Sequence, residues 1–314
     1  MSKIAFLFSG QGAQYIGMGK ELYENIEESK EVFHKADNAL GFSISELCFS
    51  GEAQELNKTE NTQPAILTTS IAALKALEKY EIKPDVVAGL SLGEYSALVC
   101  SGVLEFEDAV RVVKKRGKFM QQEVPFGVGT MAAIIGLDRE NIKEACNRAA
   151  SEGIVEVANY NCSSQIVIAG EIKAVDKALD IAKELGAKRA IKLQVSAPFH
   201  SSMLKGAGEK LYNEFQNIEL KEIKIPVMTN VTGTYIKSVS DIKGILKKQV
   251  MSSVLWEDII KNMIEEGVDT FIEIGPGKAL VGFVKKINRK VKVLNVEDLK
   301  SLEKTADELK GDKN

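Results

Sequence analysis

The chain has 314 residues, 45% of them hydrophobic and 27% charged, with a net charge of -3. Such a chain can bury one large core or two smaller ones, and its charge balance excludes the broad basic field that nucleic acid or an acidic membrane would need. The apolar run at residues 4–8 is too short for a secretion signal, and no stretch approaches a membrane span. Cys48, Cys100, Cys146 and Cys162 are widely spaced, with no C-x-x-C and no histidine at ligand spacing, so a cytoplasmic protein with reduced thiols and neither zinc nor disulfides is expected.

Residues 4–8 read as a buried strand that ends in Ser9-Gly10-Gln11-Gly12-Ala13-Gln14-Tyr15-Ile16-Gly17. Gly10 and Gly12 suggest a dinucleotide loop. However, Tyr15 stands where the third glycine belongs, and no acidic residue ends a following strand at the expected distance. The loop can instead offer backbone N–H groups to an anion at the top of a sheet, and Gln11 is the residue placed to do so. Residues 20–47 carry a helical pattern with a Glu- and Lys-rich polar face that includes His34. Asn61-Thr62-Gln63-Pro64 opens an apolar helix running to Leu77.

After the breaker pair Pro84-Asp85, the apolar run Val86-Val87-Ala88 enters Gly89-Leu90-Ser91-Leu92-Gly93, and residues 94–100 suit a helix. In a strand, turn and helix of this kind, a G-x-S-x-G lets two backbones approach while the serine hydroxyl stands over the end of the sheet. Unpaired N–H groups at the helix start favour a developing oxyanion. The plain alternative, a glycine-bounded turn whose serine caps the helix, fits the flanking strand and helix less well. The next helix, from near Phe106, has the apolar stripe Ala109, Val112, Val113, Phe119 and Met120, and Arg116 falls on it. A guanidinium there either snorkels to water, pairs with a nearby Glu, or meets an anionic ligand.

Gly127-Val128-Gly129 ends that pattern. The following elements are expected as strand 131–135, helix 139–150, strands 154–159 and 165–169, helix 174–185 and strand 189–195. This βαββαβ order is ferredoxin-like. The expected fold is therefore α/β: a large domain (1–126 and 197–314) with a parallel sheet and a serine elbow, into which a small ferredoxin-like subdomain (127–196) is inserted. The cleft is expected between them.

The loop Ser196-Ala197-Pro198-Phe199-His200-Ser201-Ser202 carries one of only two histidines. His34 sits among Glu and Lys on a solvated helix. His200 precedes a helical run, 203–215, whose N-terminal dipole would disfavour the imidazolium and keep the ring neutral, as a base requires. Beyond it we expect a strand at 226–232, helices at 242–249 and 254–266, a strand at 271–274, the Gly275-Pro276-Gly277 turn, a helix at 279–287, a strand at 291–296 and a charged, frayed tail from 300.

An elbow serine with a downstream histidine points to acyl transfer through an ester intermediate. Hydrolases on such turns carry an Asp or Glu between Ser and His in chain order, and none here is marked by spacing. Five motifs together resemble the malonyl-CoA:acyl carrier protein transacylases of fatty acid synthesis: Phe8-Ser9-Gly10-Gln11-Gly12-Ala13-Gln14, Thr62-Gln63-Pro64-Ala65, residues 89–97, Arg116-Gly117-Lys118-Phe119-Met120-Gln121 and Ile274-Gly275-Pro276-Gly277. The resemblance implies Ser91 as nucleophile, His200 as base and the amides of Gln11 and Leu92 as oxyanion hole. It further implies that Arg116 holds the malonate carboxylate, that Gln63 and Phe199 line the substrate site, and that the Gln249 backbone carbonyl orients His200 in place of an acid.

Malonyl-CoA and acyl carrier protein would be the partners of a monomeric enzyme, with thioesters as substrates and no cofactor or metal. Leu90 stands where many members have histidine, and Ser253 where a proline often precedes Val-x-Trp. Phe199 before His200 resembles the Phe-His pair of malonyl-selective domains, whose bulk would exclude an α-methyl branch. The rival readings are a Ser-His esterase or thioesterase, a polyketide trans-acting acyltransferase, and a non-catalytic acyl-binding scaffold. Carrier proteins are acidic, so Lys188-Arg189-Lys192 and Lys285-Lys286-Arg289-Lys290 are docking candidates, each with the plain alternative of a solvated face.

Overall fold

The computed structural model describes residues 2–195 and 197–311. Met1, Ser196 at the start of the His200 loop, and residues 312–314 of the tail lie outside the described residues. Strand β1 (Lys3–Phe8) is followed by three helices where one helical pattern is expected: α1 (Lys20–Asn25), α2 (Glu27–Leu40) and α3 (Ile44–Ser50). The breaks have local causes. Ile26 is extended, Gly41 takes the left-handed φ of 72° that only glycine adopts freely, and Ser43 caps α3 by accepting from the Glu46 N–H. The one-turn α4 (Ala53–Leu56) leads into α5 (Thr59–Glu78), which is buried on nearly every face, and then come β2 (Val86–Gly89), α6 (Gly93–Cys100) and α7 (Phe106–Glu123). The next stretch is β3 (Gly129–Ile135), α8 (Arg139–Ala149), β4 (Val155–Cys162), β5 (Gln165–Glu171), α9 (Ile172–Glu184) and β6 (Arg189–Lys192). The chain ends with α10 (Lys205–Phe215), α11 (Ile242–Gln249), α12 (Trp256–Glu265), β7 (Val268–Ile274), α13 (Ala279–Ile287), β8 (Lys292–Val296) and α14 (Leu299–Gly311).

Two sheets result. In the first, all pairs are parallel in the order β2-β1-β7-β8, with Phe8 opposite both Gly89 and Ile274, and Ile274 opposite Val296. The strands end level, so the loops after β1, β2 and β7 gather at one carboxyl edge, where ligands meet open parallel sheets. The second sheet is antiparallel in the order β4-β5-β3-β6, the pairing of a ferredoxin-like βαββαβ unit. Its strands alternate between two cores. Ala132, Ile134, Ile166 and Ile168 pack with α8 and α9, while Met131, Ala133, Val167 and Ala169 join the main core. The α/β class expected from the sequence, a parallel sheet with an elbow beside a ferredoxin-like antiparallel sheet, is the fold observed.

The open edge of β4 is covered by the segment before α12. The Val254 N–H donates to the Ala158 carbonyl at 2.8 Å, and the Tyr160 N–H to the Val254 carbonyl at 2.9 Å. Ser253 adds a hydroxyl bond to the Val157 carbonyl, a contact proline could not make.

Two expectations fail. Residues 226–232 are not a continuous strand: isolated bridges join Val227 to Val87 and Met228 to Tyr235, and the chain between them turns at Gly233, whose N–H donates to the Thr229 carbonyl at 3.0 Å. The tail is not frayed through residue 311. Leu302, Ala306 and Leu309 recur on one face of α14 and are buried in the main core.

Candidate active site

The elbow is a place where backbones touch. A Cβ on Gly89 would lie 1.9 Å from the Gly93 carbonyl carbon, and one on Gly93 would lie 2.1 Å from the Phe8 carbonyl oxygen. Neither position can carry a side chain, which is the physical content of the G-x-S-x-G spacing. Between them Ser91 sits at φ 52°, in the left-handed region, and α6 begins two residues later.

Opposite Ser91 stands His200, itself at φ 62°, with Nε2 2.6 Å from Ser91 Oγ. Its Nδ1 lies 2.8 Å from the Gln249 carbonyl, which can only accept, so the proton is on Nδ1 and Nε2 is free to take one from the serine. The pKa of His200 is lowered from 6.5 to about 4, first by burial and then by the charge of Arg116. The expected neutrality is present, with burial and the arginine as its largest causes, and a 3-10 turn at Ser202–Leu204 leads from the loop into α10.

Arg116 is 1% exposed, which rules out snorkelling. Its Nη1 donates to Gln63 Oε1 at 2.9 Å, and its Nη2 to Ser91 Oγ at 3.1 Å and Gln249 Oε1 at 3.0 Å. The guanidinium lies over the Tyr95 ring, 5.4 Å from its centroid, and Nε has no hydrogen-bond partner among the described residues. Among the described residues no carboxylate forms an ion pair with it. A buried cation held by neutral oxygens beside a serine hydroxyl is suited to meet an anionic group.

Gln63 Nε2 reaches Gln11 Oε1 at 3.4 Å, which links the loop after β1 to this network. Among the described residues the backbone amides of Gln11 and Leu92 donate no hydrogen bond, so both are available to an oxyanion. Phe199 is buried beside His200 in the main core. Ser91, His200, Arg116, Gln63, Gln249 and Gln11 thus form one bonded cluster, adjoined by Leu92 and Phe199. His34 is exposed on α2, bonded to the Tyr23 hydroxyl, and takes no part.

Two buried residues of the cluster had no assigned place in the sequence reading. Asn230 Oδ1 accepts the Ser91 N–H at 2.6 Å and its Nδ2 donates to the Gly89 carbonyl at 2.8 Å. Glu94 Oε2 accepts from the Asn230 N–H and from Gln249 Nε2. Glu94 follows the elbow motif directly, which is a signal of sorts. Asn230 has none beyond its place in the turn that replaces the expected strand.

Such an arrangement is chemically suited to acyl transfer through a serine, and comparisons with known proteins give the class of protein. The acyl transferase domain profile matches residues 5–310, so the chain belongs to the acyl transferase family and is an enzyme of that kind. Within it the chain is similar to malonyl CoA-acyl carrier protein transacylases. The malonyl CoA-acyl carrier protein transacylase of Bacillus subtilis (strain 168) is 51% identical over 99% of this chain and 98% of its own. The crystal structure of malonyl CoA-acyl carrier protein transacylase from Clostridium perfringens ATCC 13124 is 55% identical, with a TM-score of 0.97 over 99% of this chain and 98% of that one. A malonyl-transacylase solved in complex with its type II PKS acyl-carrier protein is 40% identical, with a TM-score of 0.95 over 98% and 100%.

Proposed function

We propose that this enzyme moves a malonyl group from malonyl-CoA to the phosphopantetheine thiol of an acyl carrier protein, by way of a malonyl ester on Ser91. The observation that carries this is the Ser91 hydroxyl itself, which lies 2.6 Å from a neutral imidazole nitrogen and 3.1 Å from a buried guanidinium. His200 Nε2 takes the serine proton as Oγ attacks the thioester carbonyl, and the Gln11 and Leu92 amides receive the oxyanion. When the tetrahedral intermediate collapses, the carbon–sulfur bond breaks and coenzyme A leaves with the proton from His200. The carrier's thiol then gives its proton to His200 and attacks the ester, and Ser91 recovers its hydroxyl.

The substrate's free carboxylate is matched to the Arg116 fork, which Gln63 holds from the side. Gln249 orients the imidazole through its carbonyl, so no triad acid is needed, and Phe199 limits the space beside the base. We read the carrier as that of fatty acid synthesis, and the enzyme as a cytoplasmic monomer. Intact-mass analysis after mixing with malonyl-CoA tests the reading: a single malonyl adduct is expected on the native chain, none on Ser91→Ala, and loss of the adduct when holo carrier protein is added. An adduct that persists in the alanine variant would move the nucleophile elsewhere, and rapid release of malonate without a carrier would favour a hydrolase.

A further inference from the structure

Behind the reacting pair lies one carboxyl group that the steps above leave unused. Glu94, in the first turn of α6, is fully buried. Its Oε2 accepts from the Asn230 backbone N–H at 3.0 Å and from Gln249 Nε2 at 2.8 Å, and the Thr229 hydroxyl also faces the carboxyl without reaching Oε1 in hydrogen-bond geometry. It bonds to no amide of its own helix, so it is not a cap. The two donors hold opposite halves of the site. Asn230 spans the elbow, with Oδ1 on the Ser91 N–H at 2.6 Å and Nδ2 on the Gly89 carbonyl at 2.8 Å. Gln249, the last residue of α11, gives its carbonyl to His200 at 2.8 Å, its Oε1 to Arg116 at 3.0 Å, and its Nε2 to the Ser91 carbonyl at 2.9 Å as well as to Glu94.

We propose that Glu94 is a positioning residue for acyl transfer: a single carboxyl oxygen ties the segment that grips the nucleophile to the helix end that holds the base. The proposal rests on Ser91 and His200 being the reacting pair. Both donors meet the same atom, Oε2, so what the geometry asks of residue 94 is one acceptor oxygen at that point; burial pushes its carboxyl above the usual carboxylate range. Glutamine supplies that oxygen in nearly the same volume. Methionine fills the space without it, and then each half of the site is free to settle on its own. A misplacement of about 1 Å costs roughly a hundredfold in rate.

The test compares Glu94→Gln, Glu94→Met and Glu94→Ala in two assays, with circular dichroism to confirm folding. Malonyl transfer reads the whole reaction, and inactivation by phenylmethylsulfonyl fluoride reads Ser91 and His200 alone, because that reagent has no carboxylate for Arg116. The glutamine variant is expected to stay near wild type in both. The methionine variant, and the alanine variant where it folds, should lose about a hundredfold in kcat and in inactivation rate, with KM for malonyl-CoA little changed. A methionine variant inactivated at the wild-type rate overturns the proposal, as does a glutamine variant as slow as the methionine one. Wild-type protein that neither forms a malonyl adduct nor reacts at Ser91 overturns this proposal together with the reading beneath it, and is told apart by that failure of the unaltered chain.

Discussion

At Arg116 the conflict between burial and charge is resolved by shape. One Nη group is shared between Ser91 Oγ and Gln249 Oε1 and the other is bonded to Gln63, so the fork is held toward the Ser91 hydroxyl by neutral partners alone. On the proposed reaction, Arg116→Ala removes charge-assisted bonds to malonate worth about 3 kcal/mol, roughly a hundredfold in kcat/KM, and leaves acetyl transfer far less affected. Equal losses on both acyl groups would make the residue structural. Arg116→Lys is not expected to restore the difference, because a point charge cannot reproduce the planar fork. At His200 the same burial makes a statement about stability. The folded chain protonates this ring only near pH 4, the unfolded chain near 6.5, so the unfolded state binds more protons in between. Stability contributed by the neutral ring is complete above about pH 6.5 and is withdrawn as pH falls toward 4, by about 3 kcal/mol. Urea unfolding of His200→Gln should show a correspondingly shallower fall over that window, and identical pH slopes for both proteins would refute it.

At the scale of elements, what could be read from the sequence was what neighbouring residues impose on one another. The Gly89 and Gly93 contacts are a local steric demand, and the stripe of α7 is a 3.6-residue period, so Ser91 and Arg116 were both legible. The bonds from Asn230 and Gln249 to the elbow join segments more than a hundred residues apart, and no periodicity encodes them. Charge density misled at the C-terminus: the Lys and Glu of residues 300–310 suggest a solvated tail, yet Leu302, Ala306 and Leu309 keep helical spacing beneath them. Thr305 Oγ1 also donates to the Asn295 carbonyl at 2.9 Å, fastening α14 to the end of β8. Leu302, 1% exposed, is therefore a core residue, and Leu302→Ala should lower the free energy of unfolding by about 2–5 kcal/mol. A loss within about 0.5 kcal/mol, the range of surface substitutions, would mean that α14 does not hold the fold.

Across the whole molecule, the two basic clusters each keep exposed cations, and they differ in what stands beside them. Lys285 Nζ donates to the Val291 carbonyl at 2.7 Å and Lys286 lies over the Phe283 ring at 5.9 Å, while Arg289 and Lys290 are exposed and have no ion pair among the described residues. On β6, Lys192 pairs with Asp176 at 2.6 Å, but Lys188 and Arg189 are exposed and have no ion pair among the described residues. Arg189 shares a strand face with Ile191, which is 47% exposed, so a cation and an apolar side chain are presented together at the open edge of the second sheet. The chain runs from this edge directly into the His200 loop. A charged rim speeds encounter with an oppositely charged partner and is screened by salt, whereas a small thioester held by Arg116 gains little from it. Reversing the charges with Lys188→Glu and Arg189→Glu should therefore raise KM for an acidic carrier protein several-fold, remove most of its salt dependence, and leave KM for malonyl-CoA and the yield of malonyl adduct unchanged. If Lys286→Glu has that effect and the β6 variants do not, the docking face is at α13; if KM rises alike for both substrates, the β6 charges act on the cleft and not on the carrier.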